Sequence, residues 1–327
     1  MNEFRYTYSQ LLSQSIGKLV ASHYSLLEGN SCQFYVLGLH DNYLIECNHS
    51  KYILRVYRND WRSLEEIHFE LELELLAFLG ERNALVACPL RTKNEELFFS
   101  VDSPEGVRAA ALFCYADGYA PGNEISIEES VLLGKAVANV HQVADMFETS
   151  YTRQVLDVPY LLDESIVAIE PFLEIEALAY IKTLQRKIKD TLPLLSHEVG
   201  NYGVCIGDVN PTNFHINDKN KITLFDFDQC GYGYRAFEIG KFMSSICSIK
   251  NKDRAVKAFM DGYQKVRSLS QEEIYTIPYF EIISVIWVMA IHAYNADRIG
   301  YKWLEKSFWN KRVAVLRELD SLLFNYD

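Results

Sequence analysis

The chain has 327 residues, 49% apolar and 23% charged, the balance of an ordinary globular protein and a length that suits one large domain or two. Its formal net charge of −12, with no Lys/Arg-rich run, argues against a nucleic-acid binder and for a soluble protein. The seven cysteines include no C-x-x-C pair and no Cys/His group with zinc spacing, so reduced thiols in a reducing, cytoplasmic compartment are expected.

Residues 1–18 lack a basic start followed by an apolar run, so no signal peptide is expected. Gln33 to Leu37 and Tyr43 to Cys47 are short apolar runs separated by Gly38, His40, Asp41 and Asn42, a strand–loop–strand pattern. Lys51 to Arg58 alternates, with Tyr52, Leu54 and Val56 on one face and Ile53, Arg55 and Tyr57 on the other. Residues 64–79 fit two periods. Phe69 to Leu75 alternates like a strand, while Leu64, Ile67, Leu71, Leu75, Phe78 and Leu79 form a helical stripe; length and Glu/Leu richness favour a helix stopping at Gly80. Leu97 to Val101 and Ala109 to Tyr115 read as two more strands.

Asp117-Gly118 and Pro121-Gly122 then break the pattern, and a hinge is expected near Phe113 to Asp117. Ser126-x-x-Glu129 is a capping-box signal, followed by the stripe Leu133, Ala136, Val137, Val140 and Ala144. Helical patterns recur over Ile175 to Lys189 and from Phe237 onward. The most apolar stretch, Ile282 to Ile291, is broken by His292, Asn295 and Asp297 and reads as too short to span a bilayer, so no membrane partner is expected. Strands first and helices later make an α+β chain in two parts, 1–114 and 115–327.

Residues 205–238 carry the chemistry. Tyr202 to Ile206 reads as a strand, followed by Gly207-Asp208-Val-Asn-Pro-Thr-Asn213, the strand Phe214 to Ile216, a turn over Asn217 to Asn220 and a returning strand Ile222 to Phe227. A turn centred near Lys219 would put Asn213 opposite Asp226, with opposed Cα atoms about 4.5–5.5 Å apart. Asp208 lies five residues before Asn213 on the same loop. Carboxylates and an amide oxygen aimed at one point suit Mg²⁺, which takes one or two carboxylates and completes its shell with phosphates and water.

Asp-x-x-x-x-Asn followed by a hairpin and Asp-Phe is similar to the catalytic core of the kinase superfamily. The longer run Gly207-Asp208…Asn213…Asp226-Phe-Asp228…Gly231-Tyr-Gly233…Glu238 resembles the aminoglycoside/choline/homoserine phosphotransferase family, including its bacterial stress-response kinases. In weaker form the resemblance spans the chain: Arg55 on an alternating strand looks like the phosphate-gripping cation, Glu72, by its spacing to Pro89, like its acidic partner, and residues 132–141 like the family's Leu-Gly-x-x-Leu-Ala-x-x-His helix.

The resemblance implies a two-lobed kinase-like fold, with a small antiparallel-sheet nucleotide lobe bearing one helix and a larger, mainly helical catalytic lobe. It implies ATP and Mg²⁺ as cofactors and a hydroxyl-bearing acceptor as partner. Asp208 would orient or deprotonate the hydroxyl, Asn213 and Asp226 would hold Mg²⁺, and Arg55, steadied by Glu72, would contact the phosphates. The loop Gly38 to Asn42 would cover those phosphates, and the backbone at Leu112, Phe113 and Cys114 would pair with adenine. Asp228 is a further metal or substrate candidate, or else a solvated turn carboxylate. His292 and Asn295 share a helix face and form either an acceptor-pocket wall or a satisfied buried polar pair.

The chain departs from the family pattern at Ile206, where His is usual; at Asn210, where many relatives carry a second His; at Arg55, where Lys is usual; and in having a single glycine, Gly38, in the phosphate loop. The acceptor is a small molecule or biosynthetic intermediate on this reading. A Ser/Thr protein or peptide kinase, or a non-catalytic nucleotide-binding module, are the alternatives.

Overall fold

A computed structural model of the chain describes residues 6–25, 29–61, 69–192 and 201–324. The chain forms two compact units. The first holds the residues up to Gly118 together with Phe147–Arg153 and Ile216–Phe225, and the second holds Tyr119–Met146, Gln154–His215 and the chain from Asp226 onward.

In the first unit, helix α1 (Ser13–His23) precedes the strands β1 (Ser31–Leu37), β2 (Asp41–Cys47), β3 (Ser50–Val56), β4 (Phe99–Ser103) and β5 (Gly106–Cys114), and helix α2 (Glu70–Glu81) sits between β3 and β4 in sequence. The strands make one antiparallel sheet in the order β1-β2-β3-β5-β4. Alternation along β3 sorts its side chains as expected. Leu54 and Val56 join Tyr43, Ile45, Ala110 and Leu112 in a core closed by Ile16, Val20 and Tyr24, while Ile53 and Arg55 take the opposite parity. Among the described residues this unit holds two helices where one was expected; α1 is short, and Ile16 and Val20 are its buried residues. Asp41 and Arg108, both fully buried, form an ion pair at 2.7 Å. Arg108 also donates to the carbonyls of Tyr57 at 2.8 Å and Ser9 at 2.9 Å, fastening the N-terminal segment to the sheet.

The ambiguous segment is helical over Glu70–Glu81, with Leu71, Leu75 and Leu79 buried; Leu64 and Ile67 lie outside the described residues. The helix does not stop at Gly80 but runs through it. A Cβ there would lie 2.2 Å from Cys88 Sγ, so that thiol would have to turn away to admit one. The left-handed residue that follows the helix is Asn83, at φ 59°.

The second unit is mainly helical: α3 (Ile127–Ala144), α4 (Ser165–Ile169), α5 (Ile175–Thr191), α6 (Ala236–Ser245), α7 (Lys252–Tyr263), α8 (Gln271–Tyr294), α9 (Ala296–Ile299) and α10 (Lys306–Phe324). Both halves of the Ser126/Glu129 capping box form, and the stripe Leu133, Ala136, Val137, Val140 and Ala144 is buried. The apolar stretch is longer than its sequence suggests. α8 is 24 residues, enough by length and composition to cross a membrane, but 72% of its most apolar window is buried against the rest of the protein. It is a core helix, which is why polar Glu281, His292 and Asn295 can sit on it with protein partners.

Strands β6 (Tyr202–Cys205) and β9 (Gly231–Tyr234) pair antiparallel in this unit, Cys205 opposite Gly231. β7 (Phe214–Ile216) and β8 (Ile222–Leu224) form the expected hairpin, its turn closed by Asn217 Oδ1, which accepts from the Lys219 and Lys221 amides at 3.0 Å each. The returning strand ends at Leu224 rather than Phe227. Asp226 adopts φ 63°, a left-handed conformation that cannot continue a strand.

Candidate active site

The β6–β9 ladder joins the β7–β8 hairpin in bringing the site loops together. Beyond Cys205↔Gly231 the same two chains stay in contact, since a Cβ on Gly207 would lie 2.0 Å from the Gln229 carbonyl oxygen. Gly207 has φ 90°, so only glycine meets both the close approach and the backbone conformation. Asp208 follows this contact and Asp228 precedes it. The expected pairing of Asn213 with Asp226 is therefore corrected: neither residue lies in a strand, and Asp226 is turned out of the extended region.

Asp208 has a defined partner for each carboxylate oxygen. Asn213 Nδ2 donates to Oδ2 at 2.9 Å and to the Asp208 carbonyl at 3.0 Å. Lys241 Nζ, on α6, lies 2.6 Å from Oδ1. Because its amide nitrogen faces Asp208, Asn213 turns its Oδ1 the other way, leaving an oxygen directed away from the carboxylate. Asn210 braces the loop: its Oδ1 accepts from the Thr212 amide at 2.8 Å and its carbonyl from the Asn213 amide at 3.1 Å.

Behind the loop lies a buried polar chain. Glu238 Oε2 accepts from the Ile206 amide at 2.7 Å and Oε1 from the Gly207 amide at 2.9 Å. His141 Nε2 is 3.3 Å from Glu238 Oε2, and its Nδ1 is 2.8 Å from the Tyr263 hydroxyl, which accepts from Arg267 at 2.7 Å. Since Arg267 already donates to the phenol oxygen, we assign the phenol proton to His141 Nδ1, which leaves Nε2–H facing Glu238. Burial, with the Arg235 and Arg267 charges, pushes His141 well below its usual range, so this contact is a hydrogen bond from a neutral imidazole rather than an ion pair. Burial raises Glu238 to about 7 against the pull of its two amide donors and Lys241.

In the first unit, Arg55 Nη1 pairs with Glu72 Oε1 at 3.0 Å, and the Tyr57 hydroxyl donates to Glu72 Oε2 at 3.1 Å. Glu72 is 1% and Arg55 12% exposed, so this is not a surface pair. Glu74 accepts instead from Thr149 at 2.6 Å, which separates it from the Arg55 site. Phe113 lies 5.7 Å from the guanidinium, and Asn42 is directly opposite Arg55 in the β2–β3 ladder.

The β1–β2 loop is tighter than the expected Gly38 to Asn42. Asp41 and Asn42 already belong to β2, and a Cβ on Gly38 would make only ordinary contacts at 3.7 Å. The backbone at 112–114 already has protein partners: the Leu112 carbonyl accepts from Leu90 at 2.7 Å and the Cys114 amide donates to Cys88 at 2.9 Å.

Asp228 is buried and accepts from Gln229 Nε2 at 2.7 Å, which removes the solvated-turn alternative. His292 Nδ1 donates to the Val288 carbonyl at 2.7 Å and Asn295 Nδ2 to the Ile291 carbonyl at 2.8 Å. Both close the end of α8, the geometry of a satisfied polar pair rather than of a pocket wall. Lys241 is the site residue that sequence reasoning missed; its signal was its position three residues after Glu238, on the same helical face.

The family model described as the phosphotransferase enzyme family matches residues 35–273. The chain belongs to this family. Among the relatives, an uncharacterized protein of Synechocystis is 35% identical, over 97% of this chain and 88% of that one. A solved structure of a microcompartment-associated aminopropanol kinase is similar with a TM-score of 0.77 at 20% identity, covering 96% of this chain and 97% of that one. An amicoumacin kinase solved with AMP-PNP, Ca²⁺ and Ami has a TM-score of 0.76 at 18% identity, covering 95% and 94%. The two-lobed, kinase-like α+β fold is thereby shown.

Among the described residues no three His, Cys, Asp or Glu side chains gather as a metal cage. Mg²⁺ takes one or two protein oxygens and completes its shell with nucleotide phosphates and water. Asn213 Oδ1 and the Asp226 carboxylate are hard oxygen donors of the right kind.

Proposed function

We propose that the chain is an ATP-dependent kinase that transfers the terminal phosphoryl group to a hydroxyl of a small molecule or biosynthetic intermediate. The observation that carries this reading is the fixed Asp208, held at both oxygens, next to an Asn213 amide whose oxygen is directed elsewhere. Asp208 would orient the acceptor hydroxyl and take its proton as the bond to phosphorus forms. Asn213 and Asp226 would hold Mg²⁺, which when bound neutralises phosphate charge. In the first unit Arg55, braced by Glu72 and Tyr57, is a pre-ordered guanidinium suited to phosphate oxygens. Nucleotide binding belongs on this reading to residues 1–114 and catalysis to 115–327. The phosphoryl-transfer transition state needs positioning and charge stabilisation more than covalent help, which this constellation can supply.

Relatives named as kinases of aminopropanol and amicoumacin support a small hydroxyl-bearing acceptor, and the AMP-PNP and Ca²⁺ of the latter support a nucleotide with a divalent cation. Seven free thiols suit a reducing, cytoplasmic setting. The test is ATP and GTP turnover with Mg²⁺, wild type against Asp208→Ala and Asp226→Ala, over a pooled library of hydroxyl metabolites and Ser/Thr peptides. Transfer to a metabolite that both variants abolish supports the reading. Transfer to peptides moves it to a protein kinase, and nucleotide binding without transfer to any acceptor or to water sinks it in favour of a binding module.

A further inference from the structure

We propose that Lys241 is the positioning residue for Asp208, an ammonium delivered from α6 to set the carboxylate that the transfer uses; this rests on the kinase reading above. Lys241 is 4% exposed, and its Nζ lies 2.6 Å from Asp208 Oδ1. A buried ammonium sheds strong hydration, and one ion pair seldom repays that loss in stability, so a lysine in this place calls for a role beyond holding the fold together.

The site loop, residues 207–213, contains no Lys, Arg or His. A cation beside Asp208 must therefore come from another element, and α6 is placed to supply it. Glu238 and Lys241 are three residues apart and share one helical face. Through Glu238 that face grips the loop backbone at Ile206 and Gly207, and through Lys241 it grips the side chain that follows them. Asn213 Nδ2 holds the other carboxylate oxygen at 2.9 Å. With each oxygen restrained from a different side, the Asp208 carboxylate plane is fixed before any acceptor arrives. Preorganisation of this kind is worth rate: a displacement of about 1 Å at a reacting group costs about a hundredfold.

The experiment compares wild type, Lys241→Met, Lys241→Arg, Asp208→Asn and the Lys241→Met/Asp208→Asn double variant. Each is read for kcat, acceptor KM, nucleotide Kd and Tm, with the acceptor identified by the library screen. Lys241→Met, similar in length but uncharged, is expected to lower kcat about a hundredfold, with nucleotide Kd within about twofold of wild type. Lys241→Arg keeps the charge on a differently shaped head and is expected to recover about tenfold of that loss. In the double variant the Lys241 change is expected to cost nothing further, because its action passes through Asp208.

An unchanged kcat in Lys241→Met, a full further loss in the double variant, or a loss that appears only as weakened nucleotide binding overturns the inference while leaving the kinase reading intact. Should Lys241→Met fail to fold, Lys241→Gln decides, since wild-type kcat in that uncharged variant contradicts a positioning role. A wild-type protein that transfers nothing overturns both readings, and an Asp208→Asn variant as active as wild type removes Asp208 and Lys241 together.

Discussion

Glu238 accepts the main-chain N–H of Ile206 at 2.7 Å, and its second oxygen accepts that of Gly207 at 2.9 Å, so a buried carboxylate on α6 sets the backbone just ahead of Asp208. The family's usual histidine is absent at Ile206, whose apolar side chain is buried while its amide is held by Glu238. His141 approaches the same carboxylate from α3, tied through Tyr263 to Arg267. The loop geometry thus rests on backbone restraint from α6 and α3, and Ile206 contributes packing.

Glu238→Gln tests that restraint. The amide has one acceptor oxygen where the carboxylate has two, so one loop amide loses its partner. A buried unsatisfied donor costs about 1–3 kcal/mol, and that loss of stability is expected in urea unfolding, together with a fall in kcat of tenfold or more.

The same residue gives a pH dependence with a definite sign. Glu238 ionises at 4.5 in its ordinary state and at about 7 in the fold. The native state therefore holds this proton more tightly, so the associated stability is present below pH 4.5 and is lost as pH rises through about 7. The stability of wild type relative to Glu238→Gln should fall by on the order of a few kcal/mol across that window and level off above it. His141 acts with the opposite sign: its proton affinity is lowered in the fold, so its contribution is present above 6.5 and lost below it. Unfolding of wild type and Glu238→Gln measured from pH 4 to 8 separates the two, and a flat difference curve contradicts the assignment to Glu238.

Two glycines should behave in opposite ways. Gly207→Ala puts a methyl group 2.0 Å from the Gln229 carbonyl at a φ of 90°, so the variant is expected to lose several kcal/mol of stability and most activity. Gly38→Ala meets its neighbours at 3.7 Å with no left-handed backbone, and its stability should stay within about 0.5 kcal/mol of wild type. If Gly38→Ala also leaves nucleotide affinity unchanged, the phosphate-covering role expected of this loop does not depend on the glycine.

What could be read in the sequence was local. The spacing of Asp208, Asn213 and Asp226 lies within one short stretch, and the alternation that put Arg55 opposite in parity to Leu54 and Val56 needs only the strand period. The rest depends on pairings between distant residues. Nothing in the sequence joins Cys205 to Gly231, so the β6–β9 ladder went unread beside the nearer β7–β8 hairpin, which forms as expected. The left-handed turn at Asp226 left no mark either, because an aspartate in that conformation reads like any other before Phe227. Lys241 drew no reading of its own, since a single lysine among apolar neighbours reveals its burial only once its partner is known. Of the three glutamates Glu70, Glu72 and Glu74, the spacing to Pro89 already singled out Glu72, and packing puts it on Arg55 and Glu74 on Thr149.

Arg108→Met isolates the structural electrostatics of the first unit from its proposed chemistry. The substitution leaves Asp41 fully buried without its 2.7 Å partner and removes the donors to Ser9 and Tyr57. Breaking a buried pair from one side costs about 3–5 kcal/mol, because the remaining charge has lost its compensation. The double variant Arg108→Met/Asp41→Leu removes both charges and is expected to recover much of that loss, the two changes being strongly non-additive. Arg55→Met removes the charge offered to phosphate, and nucleotide Kd measured by calorimetry is expected to rise at least tenfold. At Mg²⁺-nucleotide saturation the Arg108 double variant should turn over like wild type, since none of its changes touches Arg55, Glu72 or Asp208. A double variant that is stable but has lost nucleotide binding would place Arg108 in the function of this unit and not only in its fold.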